Sequence, residues 1–298
     1  MVLPRALKNP VEQQGARDAQ RRDARAVIRF SRWLSQHPRL DTLTERDVID
    51  KILSLREQND DPVPMNGASF GTIAGVGANA ALAHYAVTEA SNTRLQPGLM
   101  LLVDSGGQYH NGTTDITRVW ALGGQSTARQ RRDYSLTLKG HLAIERCQFP
   151  EGTTGHQIDV LARQFMWREG LDFSHGTGHG IGAYLSVHEG PQSISKRPGS
   201  APLQAGMLLS NEPGLYREGE SGVRIENVEL VVRKDPGFLG FETLTLVPYD
   251  TTLIERSLLT GEERDQIDAY HARILAEVGP DLSGDDLTYL QQATAPLQ

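Results

Sequence analysis

Helical and strand periodicities in this chain come in long blocks, never in the regular strand–helix–strand alternation that a doubly wound parallel sheet demands. Asn9-Pro10 reads as an N-cap followed by proline at the first helical position, opening a highly charged helix that runs to about Gln36. Val27, Ile28, Phe30, Trp33 and Leu34 supply its late apolar stripe. Thr44 is placed to cap the amide of Asp47 in a second helix carrying Val48, Ile49, Ile52 and Leu53. Strand and turn chemistry then holds over 64–120, with Gly71, Gly75 and Gly77 as punctuation and 99–103 as a buried strand. A helical pattern returns over 126–148, and Thr154 starts another helix that Gly170 ends. Strands are expected near 207–210, 223–232 and 241–247. Thr260 and Glu263 form a capping box before the helix bearing Ile267, Tyr270 and Ile274, and a short amphipathic helix covers 286–293. This order predicts an α+β domain made of two similar halves, whose echo is topological rather than a residue-level repeat.

Acidic residues outnumber basic ones by 37 to 30, a net charge of −7, so the basic footprint of a nucleic-acid binder is missing. Hydrophobic residues make up 38%, enough for a sizeable core, which excludes a disordered chain. The single cysteine, Cys147, permits no internal disulfide and suits a reducing compartment. The opening MVLPRALKNP has no apolar signal core, and no stretch approaches the run of ~20 residues that spans a membrane. The expectation is a cytoplasmic globular protein with neither nucleic-acid nor membrane partners.

Four carboxylates sit at strand-like positions flanked by glycines, two in each half. In LLVDSGGQYHNGTTDITRVW, Asp104 ends an apolar strand and Asp115 lies on the next strand beyond a glycine-bearing turn. An aspartate directly after Leu101-Leu102-Val103 is a poor strand former entering an apolar setting, and its charge needs a partner. Glu212 stands in SNEPGLY and Glu226 in GVRIENVELVV, where Arg224 and Glu226 share one face by period two while Val223 and Ile225 take the other. Taken singly, each acid reads as a turn residue or a salt-bridge partner. That reading weakens beside HGTGHGIG, which sets His175 and His179 among glycines that let backbone approach a ligand closely. His84 and His188 are weak signals alone, since a histidine beside apolar residues is usually a satisfied core group. Four carboxylates with one imidazole describe a hard, oxygen-rich site able to hold two divalent ions, manganese, cobalt or zinc. Two such ions ~3.5–4 Å apart can bind a bridging hydroxide, which makes hydrolysis the leading chemistry.

At these residues the chain resembles the catalytic domain of Xaa-Pro aminopeptidase (aminopeptidase P), a pita-bread metallopeptidase related to methionine aminopeptidase, prolidase and creatinase. The matching segments are ANAALAHY, LLVDSGGQYHNGTTDITR, HGTGHGIGAYLSVHEGP, NEPGLY, GVRIENVELVV and FETLTLVPYDTTLIE, extended by KNPVE and the terminal ATAPL. The wording is closer to the cytosolic, eukaryotic-type branch than to methionine aminopeptidase. The resemblance implies a pita-bread fold, two pseudo-symmetric α/β halves around a curved antiparallel sheet, occupying 1–298 as one catalytic domain without the family's N-terminal domains. It implies that Asp104 ligates one metal, that His179 and Glu212 ligate the second, and that Asp115 and Glu226 bridge. Glu212 is also the expected general base, His188 the donor to the developing oxyanion, His84 a neighbour of the scissile nitrogen and His175 a wall of the proline pocket. Arg224 and Tyr216 are expected to hold ligands in place. Two metal ions, manganese first and cobalt or zinc as alternatives, peptides with proline second and a homodimer follow from the same resemblance. A broader, methionine-aminopeptidase-like specificity and a non-catalytic peptide-binding relative are the competing readings.

Overall fold

The computed structural model describes residues 2–58 and 63–297. After a short helix α1 (Val2–Ala6), helix α2 (Pro10–Ser35) opens with a reciprocal cap. Asn9 Oδ1 accepts from the amides of Val11 and Glu12, and the Glu12 carboxylate accepts from Asn9 N at 2.9 Å. Thr44 caps α3 (Glu45–Glu57) through Asp47 in the same manner. Later come α4 (Ala128–Glu145), α5 (Gly155–Trp167), α6 (Gly261–Val278) behind the Thr260–Glu263 box, and α7 (Gly284–Ala293). Among the described residues no helix is long and apolar enough to cross a membrane.

The first half contributes strands β1 (Met65–Ala68), β2 (Ile73–Val76), β3 (Met100–Ser105), β4 (Gly107–Tyr109), β5 (Gly112–Thr113) and β6 (Ile116–Ala121). The second contributes β7 (Gln148–Pro150), β8 (Gly178–His179), β9 (Ser193–Ile194), β10 (Leu208–Asn211), β11 (Gly214–Arg217), β12 (Ser221–Arg224), β13 (Asn227–Arg233) and β14 (Phe238–Thr243). Each half is built around one principal sheet, β2-β3-β6 and β10-β13-β14-β7, with smaller groups β1-β4-β5, β8-β9 and β11-β12 between them. Every strand pairing among the described residues is antiparallel. The stripe of α2 (Val27, Ile28, Phe30, Leu34) closes on Leu101, Val103 and Val119 of the first sheet and on Ile267 and Ile274 of α6 in one buried core. Ile144 and Ile158, from α4 and α5, cover Leu209, Val231 and Phe241 of the second sheet.

Two strand expectations change. The run 223–232 divides because the chain switches partners at Ile225-Glu226: β12 pairs with β11, whereas β13 pairs with β10 and β14. The strand expected over 241–247 lies at Phe238–Thr243. Leu244 still donates to Val228 O at 2.8 Å, but beyond it side chains take over from the ladder: Tyr270 Oη donates to Thr245 O at 3.0 Å and Arg118 to Val247 O at 2.8 Å.

Candidate metal centre

Strand ends deliver the site. Asp104 is the penultimate residue of β3, Asp115 directly precedes β6, His179 ends β8, Glu212 directly follows β10 and Glu226 occupies the switch between β12 and β13. All five line one cavity of about 280 Å³, shared with His84, His175, His188 and Arg224 and walled on the apolar side by Phe70 and Ile73. The glycines around His179 answer to close packing: a Cβ at Gly178 would lie 1.9 Å from Ser210 O, and one at Gly180 the same distance from Glu189 O.

Asp115, His179 and Glu226 each offer a ligand atom, all within 4.8 Å of one another. Glu212 joins from the side of His179, with Oε1 3.3 Å from Nε2, while Asp115 Oδ2 is 3.4 Å from the same nitrogen. His179 Nδ1 faces Gly180 O at 3.0 Å, so that nitrogen carries a proton and Nε2 is the one turned to the carboxylates. Asp104 stands outside the tight triple. Its Oδ2 accepts from Arg224 Nη2 at 2.7 Å, and its buried Oδ1 has no protein partner.

Four carboxylates face one guanidinium, and the imbalance shows in their protonation. Burial, with Asp104 adding repulsion against the pull of His179, lifts Asp115 to about 6. Burial likewise lifts Glu212 to about 7, opposed by His179 and Arg224. Burial and then the charges of Asp115, Glu212 and Asp104 push Glu226 well above the usual carboxylate range. Burial works against a charge on His179, but Asp115 and Glu212 outweigh it and raise that group to about 9. A set this rich in carboxyl oxygens, with an orphaned Asp104 oxygen, is short of positive charge, having Arg224 and His179 alone among the lining residues to balance it. Divalent cations fit it.

Around the ligands runs a supporting chain of hydrogen bonds. Arg224 Nη1 donates to Tyr216 Oη at 2.8 Å, and Tyr216 Oη meets His175 Nε2 at 2.7 Å. His175 Nδ1 closes on Gly176 O at 2.7 Å. Burial lowers His175 to about 4, so its ring is neutral. Tyr216 is linked to Asp104 by hydrogen bonds through Arg224. His188 lies edge-on to His179, ring centroids 4.1 Å apart, and burial followed by the charge on His179 lowers its pKa. His84 is exposed at the rim. Two supporting residues escaped the sequence reading. Thr117 donates to Glu226 Oε2 at 2.7 Å, and Ser210 donates to Glu212 Oε1 at 3.0 Å while accepting from the His179 amide at 2.9 Å. Each lies two residues from an acid in the chain, Thr117 after Asp115 and Ser210 before Glu212, and that period-two spacing was the available signal.

Comparison with known proteins adds independent findings. Residues 14–233 match the model of metallopeptidase family M24, and 237–297 match the C-terminal region of peptidase_M24. A probable Xaa-Pro aminopeptidase P of Fusarium vanettenii is 43% identical over 99% of this chain and 49% of its own length. Aminopeptidase P1 of Arabidopsis thaliana is 40% identical over 99% of this chain and 50% of its own. The crystal structure of X-prolyl aminopeptidase from Caenorhabditis elegans, described as a cytosolic enzyme with a di-nuclear active site, superposes with a TM-score of 0.93 at 40% identity, covering 99% of this chain and 49% of that one. The chain thus spans about half the length of these relatives.

Proposed function

The chain belongs to metallopeptidase family M24, and on that premise we propose that it is a dinuclear metal-dependent aminopeptidase hydrolysing the bond between an N-terminal residue and a following proline. The observation that carries the proposal is the convergence of Asp104, Asp115, His179, Glu212 and Glu226 from separate strand ends on one cavity. The identity of 40–43% to Xaa-Pro aminopeptidases over nearly the full chain supports the substrate class.

Asp104, Asp115 and Glu226 would hold one cation, and His179, Glu212 and the two bridging acids the other. When bound, divalent cations, manganese in our reading with cobalt or zinc as alternatives, supply Lewis acidity and make water acidic enough to attack at neutral pH. Glu212 is the general base: it stands at the ligand cluster, supported by Ser210, and takes the proton of the attacking water. His188, a neutral imidazole donor, hydrogen-bonds the substrate carbonyl oxygen and gains strength as negative charge develops there. His84 at the rim assists departure of the proline nitrogen, and His175, neutral and tied to Tyr216, forms a wall for the proline ring. Arg224 holds Asp104, and Tyr216 holds Arg224. A proline nitrogen carries no hydrogen, so a strand-like protease clamp loses a bond that a site organised around an amino terminus and a ring pocket never needs. A cytoplasmic location is part of the proposal, supported by the cytosolic description of the nematode relative and by a single cysteine, and a homodimer is carried over from the family resemblance alone.

A peptide panel with added manganese, run beside elemental analysis of the purified chain, tests this reading. Release of the first residue only when proline is second, with two metal ions bound per chain, is expected. Preference for Met-Ala over Ala-Pro peptides would establish the broader aminopeptidase instead, and two bound metals without turnover on any peptide would establish a binding protein.

A further inference from the structure

The KNP segment before α2 lies at the opposite end of the sequence from the metal ligands of the second half, yet it reaches the loop that carries His188. Lys8 Nζ donates to Glu189 Oε1 at 2.5 Å and to Arg5 O at 2.8 Å. This is not a surface lysine: its side chain is 1% exposed and that of Glu189 10%. The backbone of Lys8 is held at both ends, its amide donating to Gly206 O at 2.9 Å and its carbonyl accepting from Gln13 Nε2 at 2.7 Å. Arg5 also reaches Glu189, at 3.0 Å, but from a side chain 68% exposed, where an ion pair contributes little.

Glu189 joins two parts of the centre. Its amide donates to Gly180 O at 2.7 Å, and its carbonyl lies where Gly180 leaves room only for a hydrogen, directly beside His179 in the chain. On its other side it is bonded in sequence to His188. The loop leading to His188 holds Leu185 and Ser186 at φ of 59° and 61°, a conformation that non-glycine residues adopt only when their surroundings impose it. A loop held in that way needs an anchor, and the buried Lys8–Glu189 pair is one.

The geometry points to Lys8 as a positioning residue for His188: through its buried ion pair with Glu189 it sets the distance of the His188 imidazole from the ligand cluster. The inference rests on the role given to His188 above. Lys8 does not line the metal-site cavity, so its replacement is expected to act on turnover and to leave metal binding alone. A displacement of about 1 Å at a group that acts in the transition state costs up to about a hundredfold in rate.

The test uses Lys8→Met, Lys8→Arg, Glu189→Gln and His188→Ala in the full chain. In the manganese-loaded protein on an Ala-Pro peptide, Lys8→Met is expected to lower kcat tenfold to a hundredfold, with KM within about twofold and metal content as in the unaltered chain. Lys8→Arg should recover most of the loss. In the His188→Ala background the same change should cost less than about twofold, because the group it positions is gone. An equal loss in both backgrounds, or none in either, overturns the inference. A second readout needs no activity: in the zinc-loaded protein the His188 imidazole resonance, assigned by its disappearance in His188→Ala, should shift in Lys8→Met and in Glu189→Gln. An unmoved resonance overturns the positioning role even if kcat falls. A moved resonance in a chain that cleaves no peptide keeps the positioning role and removes the hydrolase reading.

Discussion

Single side chains divide here into those that would touch the reaction and those that hold them. On the proposed mechanism, replacing Glu212 by alanine would remove a ligand and the base together, and hydrolysis should fall below detection. His188→Ala should lower turnover about a hundredfold to a thousandfold, as the loss of one oxyanion donor does, while elemental analysis finds the metal content unchanged. Loss of metal in that variant would contradict its assignment. A second residue-scale case lies behind the site. Thr243 Oγ1 is 2.8 Å from both Glu145 Oε1 and Glu229 Oε2, yet a hydroxyl has one hydrogen and can donate to only one of them. The other carboxyl must keep its proton. Glu229 is the more buried of the two, and its Oε1 has no partner. Burial, followed by repulsion from Glu145, pushes Glu229 well above the usual carboxylate range, and burial raises Glu145 as well. The folded state then binds a proton that the unfolded chain releases above its ordinary carboxylate pKa, so stability declines as pH rises from about 5. Glu229→Gln should make that decline shallower, gaining on the unaltered chain by up to about 1.4 kcal/mol per pH unit. Urea unfolding at a series of pH values measures it, and parallel curves would show the pair ionised.

At the scale of elements, the centre depends on strands that end or switch where a ligand is needed. Glu226 sits where the chain leaves β11 for β10, and its amide is taken by Thr117 O at 3.2 Å across from the other half. Strand β8, only Gly178–His179, presses on β10 so closely that no side chain fits at Gly178. Gly178→Ala puts a carbon against the Ser210 carbonyl, and one of the two strands must move. The expected cost is about 1–3 kcal/mol of stability from overpacking, together with weaker metal binding because His179 moves too. A metal titration and urea unfolding on the same preparation read both effects, and unchanged affinity would mean that β8 yields without carrying its histidine. Helix starts were the easiest elements to read in advance. Asn9, Thr44 and Thr260 act within four residues of themselves, so their partners are visible in the local sequence. The end of β14 was not readable, because the apolar run continues past it and only Arg118 and Tyr270, distant in sequence, claim the carbonyls beyond.

For the molecule as a whole, the two halves share an apolar core and meet again at the carboxylate cluster. Asp104 and Asp115 come from the first half, His179, Glu212 and Glu226 from the second, and the carboxylates repel one another in the absence of cations. Metal should therefore stabilise the entire chain and not only the cavity. Manganese at a hundredfold excess over its Kd should add about 2.7 kcal/mol, read as a rise in Tm that a chelator reverses; identical melting with and without chelator would mean that the site binds no metal. Local sequence carried the residue types, the strand-like setting of the acids and the order of blocks, because alternation, capping and glycine flanks are short-range signals; that the acids fall at strand ends and switches emerged with the fold. Block order made the α+β architecture readable, and the four carboxylates stood out beside a glycine loop bearing His175 and His179, while the choice of His179 came from the family motif. Tertiary structure alone decided which acids form the tight triple, that Tyr216 is linked to Asp104 through Arg224, and that Lys8 is joined to Glu189. Those are contacts between segments some hundred or more residues apart in several cases, and their energies depend on burial and distance, which no local pattern encodes.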